Sequence, residues 1–156
     1  MAISINTLPG VGAEILGVDI AGGLASSELE AIKQTFSEHG LVFFRNQKIS
    51  ERDHIEFAEV FGDINVNRFF AANTDYPQIA MVSKEPDQLE NIGGGWHTDH
   101  SYDQEPALGS ILVARELPAS GGDTLFASMY KAYDGLSDGL KETLEGMSAV
   151  HSAKHV

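Results

Sequence analysis

The sequence predicts an α+β domain in which two helices lie among several short strands. Two amphipathic segments with helix-capping residues, over 27–39 and 50–62, stand between short β-prone runs. More β-prone runs follow, so the strands and helices do not alternate regularly, and a helix-decorated β-sandwich is favoured over a βαβ fold. A length of 156 residues is typical of one domain, which we expect to span 1–156.

The first 40 residues predict a hairpin and then a helix. Short β-prone runs over 4–20 are separated by proline and glycine, a pattern typical of two strands joined by a turn. Ser27 and Glu30 have the spacing of a capping box, and Gly40 stands where a C-terminal capping glycine is expected. The helix is therefore predicted over 27–39.

The next stretch predicts a strand, a second helix and a loop. The apolar run "LVFFR" at 41–45 is long enough for a buried strand and too short for a helix. Ser50 begins an amphipathic segment that stops at Gly62. Residues 63–77 show no sustained period and are predicted to form an irregular loop.

The second half of the sequence predicts mainly strands. Helices are expected to begin near Met129 and after Ser137, the latter ending near Gly146. The predicted strands lie at 78–84, at 108–116, after the Gly121–Gly122 turn and at 147–156.

Composition excludes several classes of function. The formal charge of −13, from 23 acidic and 10 basic residues, disfavours binding to nucleic acid or to anionic membranes. The absence of cysteine excludes disulfides, thiolate metal sites and thiol catalysis, so a metal site must use nitrogen and oxygen ligands. No secretory signal or apolar run of about 20 residues is present, which makes a cytoplasmic location the default expectation.

The segment "GGGWHTDHSY" at 93–102 is the densest cluster of metal-capable groups. In an extended strand His97 and Asp99 project from the same face, so an imidazole nitrogen and a carboxylate oxygen can reach one ion. Such a pair is two-thirds of the 2-His-1-carboxylate site of non-haem Fe(II) oxygenases. A solvated, hydrogen-bonded pair is the alternative that this spacing alone leaves open.

A second candidate lies after two further glycines. Gly121 and Gly122 form a turn that delivers Asp123 and Thr124 into the following run. The threonine hydroxyl can donate a hydrogen bond to a bound carboxylate, whereas the alternative is that both residues only cap the turn.

Several segments together resemble a known family. "WHTD" at 96–99 is followed by "ARELPASGGDTLFASMYKAYDGLS" at 114–137. Together with these, "GAEILGVDI", "GLVFFRNQKIS", "HIEFAEVFGDI" and "HSAKHV" resemble, in order, segments of the taurine dioxygenase-like branch of the Fe(II)/2-oxoglutarate-dependent oxygenases. The resemblance covers nearly the whole chain.

The resemblance implies a fold, a chemistry and a ligand set. The implied fold is a double-stranded β-helix, or jelly roll, of the clavaminate synthase-like type with flanking helices, incomplete in this chain. His97 and Asp99 match the first two iron ligands, and Thr124 matches the threonine that binds 2-oxoglutarate. Fe(II), 2-oxoglutarate and O₂ are the implied cofactor and cosubstrates, and hydroxylation of a small molecule releases succinate and CO₂.

The chain departs from the family pattern at its end. The second histidine ligand and the 2-oxoglutarate-binding arginine of the family lie about a hundred or more residues beyond the "GGDT" segment, and His151 and His155 come too early to match that histidine. We therefore expect an amino-terminal portion of a longer enzyme that is inactive by itself.

Substrate residues are expected in the loop after the second helix. Sulfonate-oxidising members offer a histidine and a tyrosine there, at positions that align with Asn67 and Phe70. Asn67 carries no cationic charge and Phe70 has no hydroxyl, so taurine is not the expected substrate. Another small anionic organic molecule is expected instead. Arg68 could bind its carboxylate or sulfate and Tyr102 could line the pocket; alternatively, Arg68 is solvated and the phenylalanines belong to the core.

Two other classes of function are weighed against the oxygenase. One is a non-catalytic, metal-free β-sandwich that binds a small molecule or a protein; the retention of His97, Asp99 and Thr124 disfavours it. The other is a zinc hydrolase, for which no further histidine or glutamate stands at the expected spacing. A small-molecule substrate is the expected partner, and a homo-oligomer is compatible with the sequence.

Overall fold

The structure is a computed structural model that describes residues 3–152 and 154. Its strands are β1 (Ser4–Thr7), β2 (Ala13–Leu16) and β3 (Val42–Phe43), and its helices are α1 (Ser26–His39), α2 (Glu51–Glu59), α3 (Met129–Asp134) and α4 (Asp138–Glu145). The described residues fall into two compact units, the first within Met1–Ile49 and Ala114–Ser148 and the second within Ser50–Val113 and Ala149–Val156. No described helix is long and apolar enough to cross a bilayer.

The first unit contains a three-stranded sheet in the order β1-β2-β3. β1 and β2 pair antiparallel, with Ser4 opposite Leu16, which confirms the predicted hairpin. β2 and β3 pair parallel, with Ala13 opposite Val42, and α1 connects them. The sequence did not predict this βαβ unit, and β3 is shorter than the predicted strand at 41–45.

A small apolar core lies between this sheet and α1. Ala13 and Ile15 are buried on one face of β2, because alternate residues of a strand share a face. Ile32 of α1 is fully buried, and Thr35 nearby is buried with its hydroxyl donating to the carbonyl of Ala31 at 2.7 Å. Burying an isoleucine side chain contributes about 1.5–3 kcal/mol, so these few residues stabilise much of the sheet and helix.

Only the C-terminal end of α1 agrees with the prediction. The N-cap is Ala25 and not Ser27, and the cap is formed by the Glu28 carboxylate, which accepts the Ala25 backbone N–H at 2.8 Å. At the other end Gly40 has a φ of 70° and donates its N–H to the carbonyl of Phe36 at 2.8 Å. That left-handed conformation is what a glycine accepts most readily, and the predicted cap is confirmed.

The second unit begins with α2, as the sequence predicted. The Ser50 hydroxyl accepts the backbone N–H of Asp53, and the Asp53 carboxylate accepts that of Ser50 at 2.7 Å, a reciprocal capping box. Phe57 is buried, and its ring meets that of Phe61 edge to face at 5.4 Å. The predicted helix is therefore confirmed, with Glu59 as its last residue.

The strands predicted after residue 77 do not form within the described residues. Between 78 and 84 only Ala80 pairs, in an isolated bridge with Ala72. No strand forms at 108–116, in the run after Gly121–Gly122 or at 147–152. The rest of the strand predicted at 147–156 includes residues 153, 155 and 156, which lie outside the described residues. A β-prone run becomes a strand only when another strand accepts its backbone hydrogen bonds, so local propensity overpredicted here. By contrast, α3 and α4 form as expected, capped by Ser128 and Ser137.

Candidate metal centre

The structure brings His97 and Asp99 together in the second unit. Nε2 of His97 lies 3.3 Å from Oδ1 of Asp99, and more than half of each side chain is exposed. The two groups therefore face one another and are open to a ligand from solvent. This is the arrangement that the spacing of the two residues predicted.

The backbone that achieves this contact is not the predicted strand. Residues 96–98 are irregular and a turn begins at Asp99, in which His100 has a φ of 53°. The turn moves the two side chains onto one side without help from a sheet. The regular strand expected at this site was wrong, although the pairing expected from it is present.

A hydrogen bond to the backbone selects one tautomer of the neutral His97 ring. Nδ1 lies 2.8 Å from the carbonyl oxygen of Gly95, and because a carbonyl can only accept, Nδ1 carries the proton. The lone pair of the neutral ring is then on Nε2, the atom that faces Asp99. Gly93 supports this position, since its φ of 68° favours glycine and a Cβ there would come within 3.3 Å of the His97 ring.

Two hydrogen-bond acceptors face one another in this pair. Nε2 of His97 and Oδ1 of Asp99 are both acceptors when the ring is neutral, so a metal ion or a hydrogen-bond donor from solvent can bridge them. Two ligand atoms each about 2.1 Å from one ion stand about 3 Å apart at a right angle. The observed 3.3 Å is close to that spacing, and the imidazole and carboxylate donors suit Fe(II).

The second oxygen of Asp99 has a partner of its own. The Ser110 hydroxyl donates to Oδ2 at 3.3 Å, which leaves Oδ1 directed at His97. A cavity of about 150 Å³ opens beside this carboxylate. Its lining comprises Asp99, His100, Ala107, Leu108, Gly109 and Ser110.

Among residues 3–152 and 154, no third histidine, aspartate or glutamate joins the pair in a metal-binding group. His151, which the sequence analysis considered and set aside, has Nδ1 at 2.8 Å from the Ser101 hydroxyl. The other late histidine, His155, lies outside the described residues. Among the described residues, His97 and Asp99 are thus two candidate ligands, where a facial site needs three protein ligands.

The proposed substrate loop is organised by its own side chains. Oδ1 of Asn67 accepts the backbone N–H groups of Phe69 and Phe70, at 2.8 and 3.2 Å. Phe70 is 38% exposed, so it does not belong to a buried core. Arg68 is 57% exposed at its side chain, and its Nη2 donates to Oδ1 of Asp103 at 2.7 Å.

The remaining predicted residues are Tyr102, in the second unit, and Thr124, in the first. Tyr102 packs its ring against Phe69 and His100, with centroid distances of 6.1 and 5.8 Å. Thr124 is an exposed residue of the first unit, in the stretch that precedes α3. The roles assigned to both remain predictions.

Sequence reasoning missed three residues around Asp99. His100 lines the cavity beside Asp99. Asp103 pairs with both Arg68 and His100, and Ser110 orients Asp99. The spacing of His100 and Asp103, three apart within a turn, was the available signal for the first two; nothing local marked Ser110.

Comparison with known proteins identifies the family. The model of the family described as "Taurine catabolism dioxygenase TauD, TfdA family" matches residues 4–156. The chain belongs to that family. The matched residues include the histidine and aspartate pair and the segment with Thr124.

Two characterised relatives of this TauD-like chain are named as α-ketoglutarate-dependent dioxygenases. The 2,4-dichlorophenoxyacetate dioxygenase of Cupriavidus pinatubonensis is 35% identical over 170 residues, which cover 98% of this chain and 59% of that protein. The sulfonate dioxygenase of Saccharomyces cerevisiae is 30% identical over 157 residues, covering 94% of this chain and 38% of that protein.

A solved structure shows the same fold. The crystal structure of a taurine dioxygenase from Burkholderia xenovorans superposes with a TM-score of 0.81 at 31% identity, over 92% of this chain and 51% of that one. This likeness is consistent with the jelly roll that the sequence resemblance implied. The chain spans about half the length of the relatives it matches.

Proposed function

We propose that this chain provides two iron ligands of an Fe(II)/2-oxoglutarate-dependent dioxygenase that hydroxylates a small anionic organic substrate and releases succinate and CO₂. The observation that carries the proposal is the contact of Nε2 of His97 with Oδ1 of Asp99 at 3.3 Å, with Nδ1 tied to a carbonyl. Membership of the TauD, TfdA family supports it.

Each residue has a defined role in the proposal. His97 and Asp99 hold the metal, and Ser110 keeps Oδ2 of Asp99 turned away from it. Thr124 donates its hydroxyl to a carboxylate of 2-oxoglutarate, a role that rests on the sequence resemblance alone. When bound, Fe(II) with 2-oxoglutarate and O₂ supplies the oxidising power for hydroxylation.

The substrate class follows from chemistry in the loop and from the relatives. Sulfonates and a phenoxyacetate, which name the substrates of the two relatives, are both anions. The Oδ1 of Asn67 is engaged by backbone N–H groups, which leaves its amide nitrogen as the group that can donate to such an anion. Phe70 and Tyr102 are proposed as the apolar part of this subsite.

The decisive experiment is spectroscopic. We expect the intact protein, mixed anaerobically with Fe(II) and 2-oxoglutarate, to show the weak visible charge-transfer band of this enzyme class, and His97→Ala to abolish it. His39→Ala, which removes an imidazole at the end of α1, is the matched control and should keep the band. A metal-free binding module predicts no band in any of the three proteins, and a band that survives in His97→Ala contradicts the ligand assignment.

The 156-residue chain alone is proposed to be inactive. Two protein ligands hold Fe(II) weakly, and an unpaired cosubstrate carboxylate lacks a charge-assisted hydrogen bond of about 1.5–3 kcal/mol. Succinate production from 2-oxoglutarate by this chain with Fe(II) and ascorbate is the result that would contradict this.

A further inference from the structure

Three polar side chains of the second unit form a hydrogen-bonded group, here called the Arg68 network: Arg68, His100 and Asp103. Nη2 of Arg68 donates to Oδ1 of Asp103 at 2.7 Å, and Nδ1 of His100 lies 3.1 Å from Oδ2 of the same carboxylate. The side chains of His100 and Asp103 are only 16% and 17% exposed. The network therefore joins the loop after α2 to the turn that directly follows Asp99.

Aromatic rings fix the orientation of the guanidinium. Its central carbon lies 5.1 Å from the centre of the Phe69 ring and 5.7 Å from that of Tyr102. Such contacts suit the flat, delocalised charge of arginine better than the compact ammonium of lysine. Arg68 is thus held by rings and a carboxylate together.

The turn that the network grips has a strained backbone. The N–H of Asp103 donates to the carbonyl of His100 at 2.9 Å, and His100 has a φ of 53°. A residue other than glycine adopts this conformation uncommonly. The hydrogen bond from the His100 ring to Asp103 links the side chain of this residue to the other end of the turn.

Small shifts of this turn would move the Asp99 carboxylate relative to His97. Asp99 immediately precedes His100, and its Oδ1 must stay close to Nε2 of His97 for both to reach one ion. Binding sites tolerate displacements of only about 0.5 Å before affinity falls. The hydrogen bond from Arg68, and then that from His100, lowers the pKa of Asp103, so this carboxylate remains charged and able to hold the turn.

We propose that Arg68 is a positioning residue for metal binding: through Asp103 and His100 it holds the turn after Asp99 so that the Asp99 carboxylate faces Nε2 of His97. This proposal rests on the proposed function. It gives Arg68 a role other than the direct contact with substrate that the sequence suggested, and it rests on the hydrogen bond of Nη2 to Asp103.

The test measures Mn(II) affinity of the intact protein in the presence of 2-oxoglutarate, by the electron paramagnetic resonance signal of the free ion. We expect Arg68→Met to raise the Kd about tenfold or more, as is typical when a group that orients a ligand is lost. Arg68→Lys should fall between this variant and the wild type, and Asp103→Asn should resemble Arg68→Met. Arg52→Met, which removes an exposed arginine paired with Glu56 on α2, is the matched control and should leave the Kd within about twofold.

The outcomes separate this inference from the proposed function. If the wild type binds no Mn(II), the proposed function fails. If it binds and Arg68→Met matches Arg52→Met in Kd, the inference fails. An unchanged Kd with a raised KM for the primary substrate returns Arg68 to substrate binding. Should Arg68→Met not fold, Asp103→Asn decides, because an unchanged Kd in that variant also overturns the inference.

Discussion

Residues 3–61 and 62–152 are stabilised in different ways. All of the described strands, the two longest helices and every buried side chain lie in the first of these regions. In the second region no described residue is buried. Large apolar side chains there, such as Leu112 and Leu125, are more than 70% exposed.

Within the described residues, the turn around Asp99 is held by polar and ring contacts and not by buried side chains of residues 62–152. In residues 3–61, β2, α1 and α2 combine local signals for their secondary structure with buried side chains. In the second region hydrogen bonds, ion pairs and ring contacts hold the turn around Asp99 instead. Polar contacts of this kind are directional, which suits a site that must place two ligand atoms accurately.

The largest expected effect is a loss of stability from a change in the buried core of residues 3–61. In the 156-residue chain Ile32→Ala should lower the free energy of unfolding by about 2–5 kcal/mol, because it leaves a cavity in the only described core. Leu125→Ala, at a side chain that is 71% exposed, should change it by about 0.5 kcal/mol or less. Urea unfolding of both variants measures this difference. Equal losses would mean that the second region is packed as tightly as the first.

The fold could be predicted from the sequence where one element needs few partners. The helix after Ser50 and the hairpin before Gly17 carry their capping and turn residues with them, and both form. The run at 108–116 has as strong a β pattern but forms no strand, since its backbone has no described neighbour to pair with. Ser27 is not the cap of α1, because the helix begins earlier. Its N-cap is Ala25, whose backbone N–H donates to the Glu28 carboxylate.

The candidate site could be predicted for residues close in sequence and not for those brought in by the turn. His97 and Asp99 are two apart, so almost any compact backbone lets them meet. Asp103 lies at the end of a turn in which His100 has a φ of 53°, and Ser110 contacts Asp99 from 11 residues away, neither of which the sequence predicted. The role of Arg68 was likewise hidden, since its partner lies 35 residues away.

A smaller effect sharpens the account of the second region. Ser110→Ala removes the hydroxyl that donates to Oδ2 of Asp99 at 3.3 Å, so the carboxylate can rotate away from His97. Because this bond is long and exposed, we expect Mn(II) affinity to fall by at most about tenfold, the lower end for groups that orient a ligand. Ser101→Ala is the matched control, because Ser101 lies in the turn that begins at Asp99 but its hydroxyl contacts His151. Equal effects of the two changes would assign Ser110 to the stability of the turn and not to the orientation of Asp99.

The smallest expected effect compares one carboxylate from each region by titration. The Ser50 hydroxyl and N–H lower the pKa of Asp53, whereas Arg68 and then His100 lower the pKa of Asp103. A lowered pKa in the folded state stabilises the fold above the unfolded pKa, and that contribution is lost as the pH falls below about 4. In carbon NMR titrations of the metal-free protein, Ser50→Ala should raise the pKa of Asp53 alone and Arg68→Met that of Asp103 alone. Added salt should raise the pKa of Asp103 more, because its partner is a charged group and that of Asp53 is a neutral one. An Asp103 pKa that is insensitive to both Arg68→Met and salt would show that the ion pair does not persist in solution, and the second region would then lose the contact that most distinguishes it from the first.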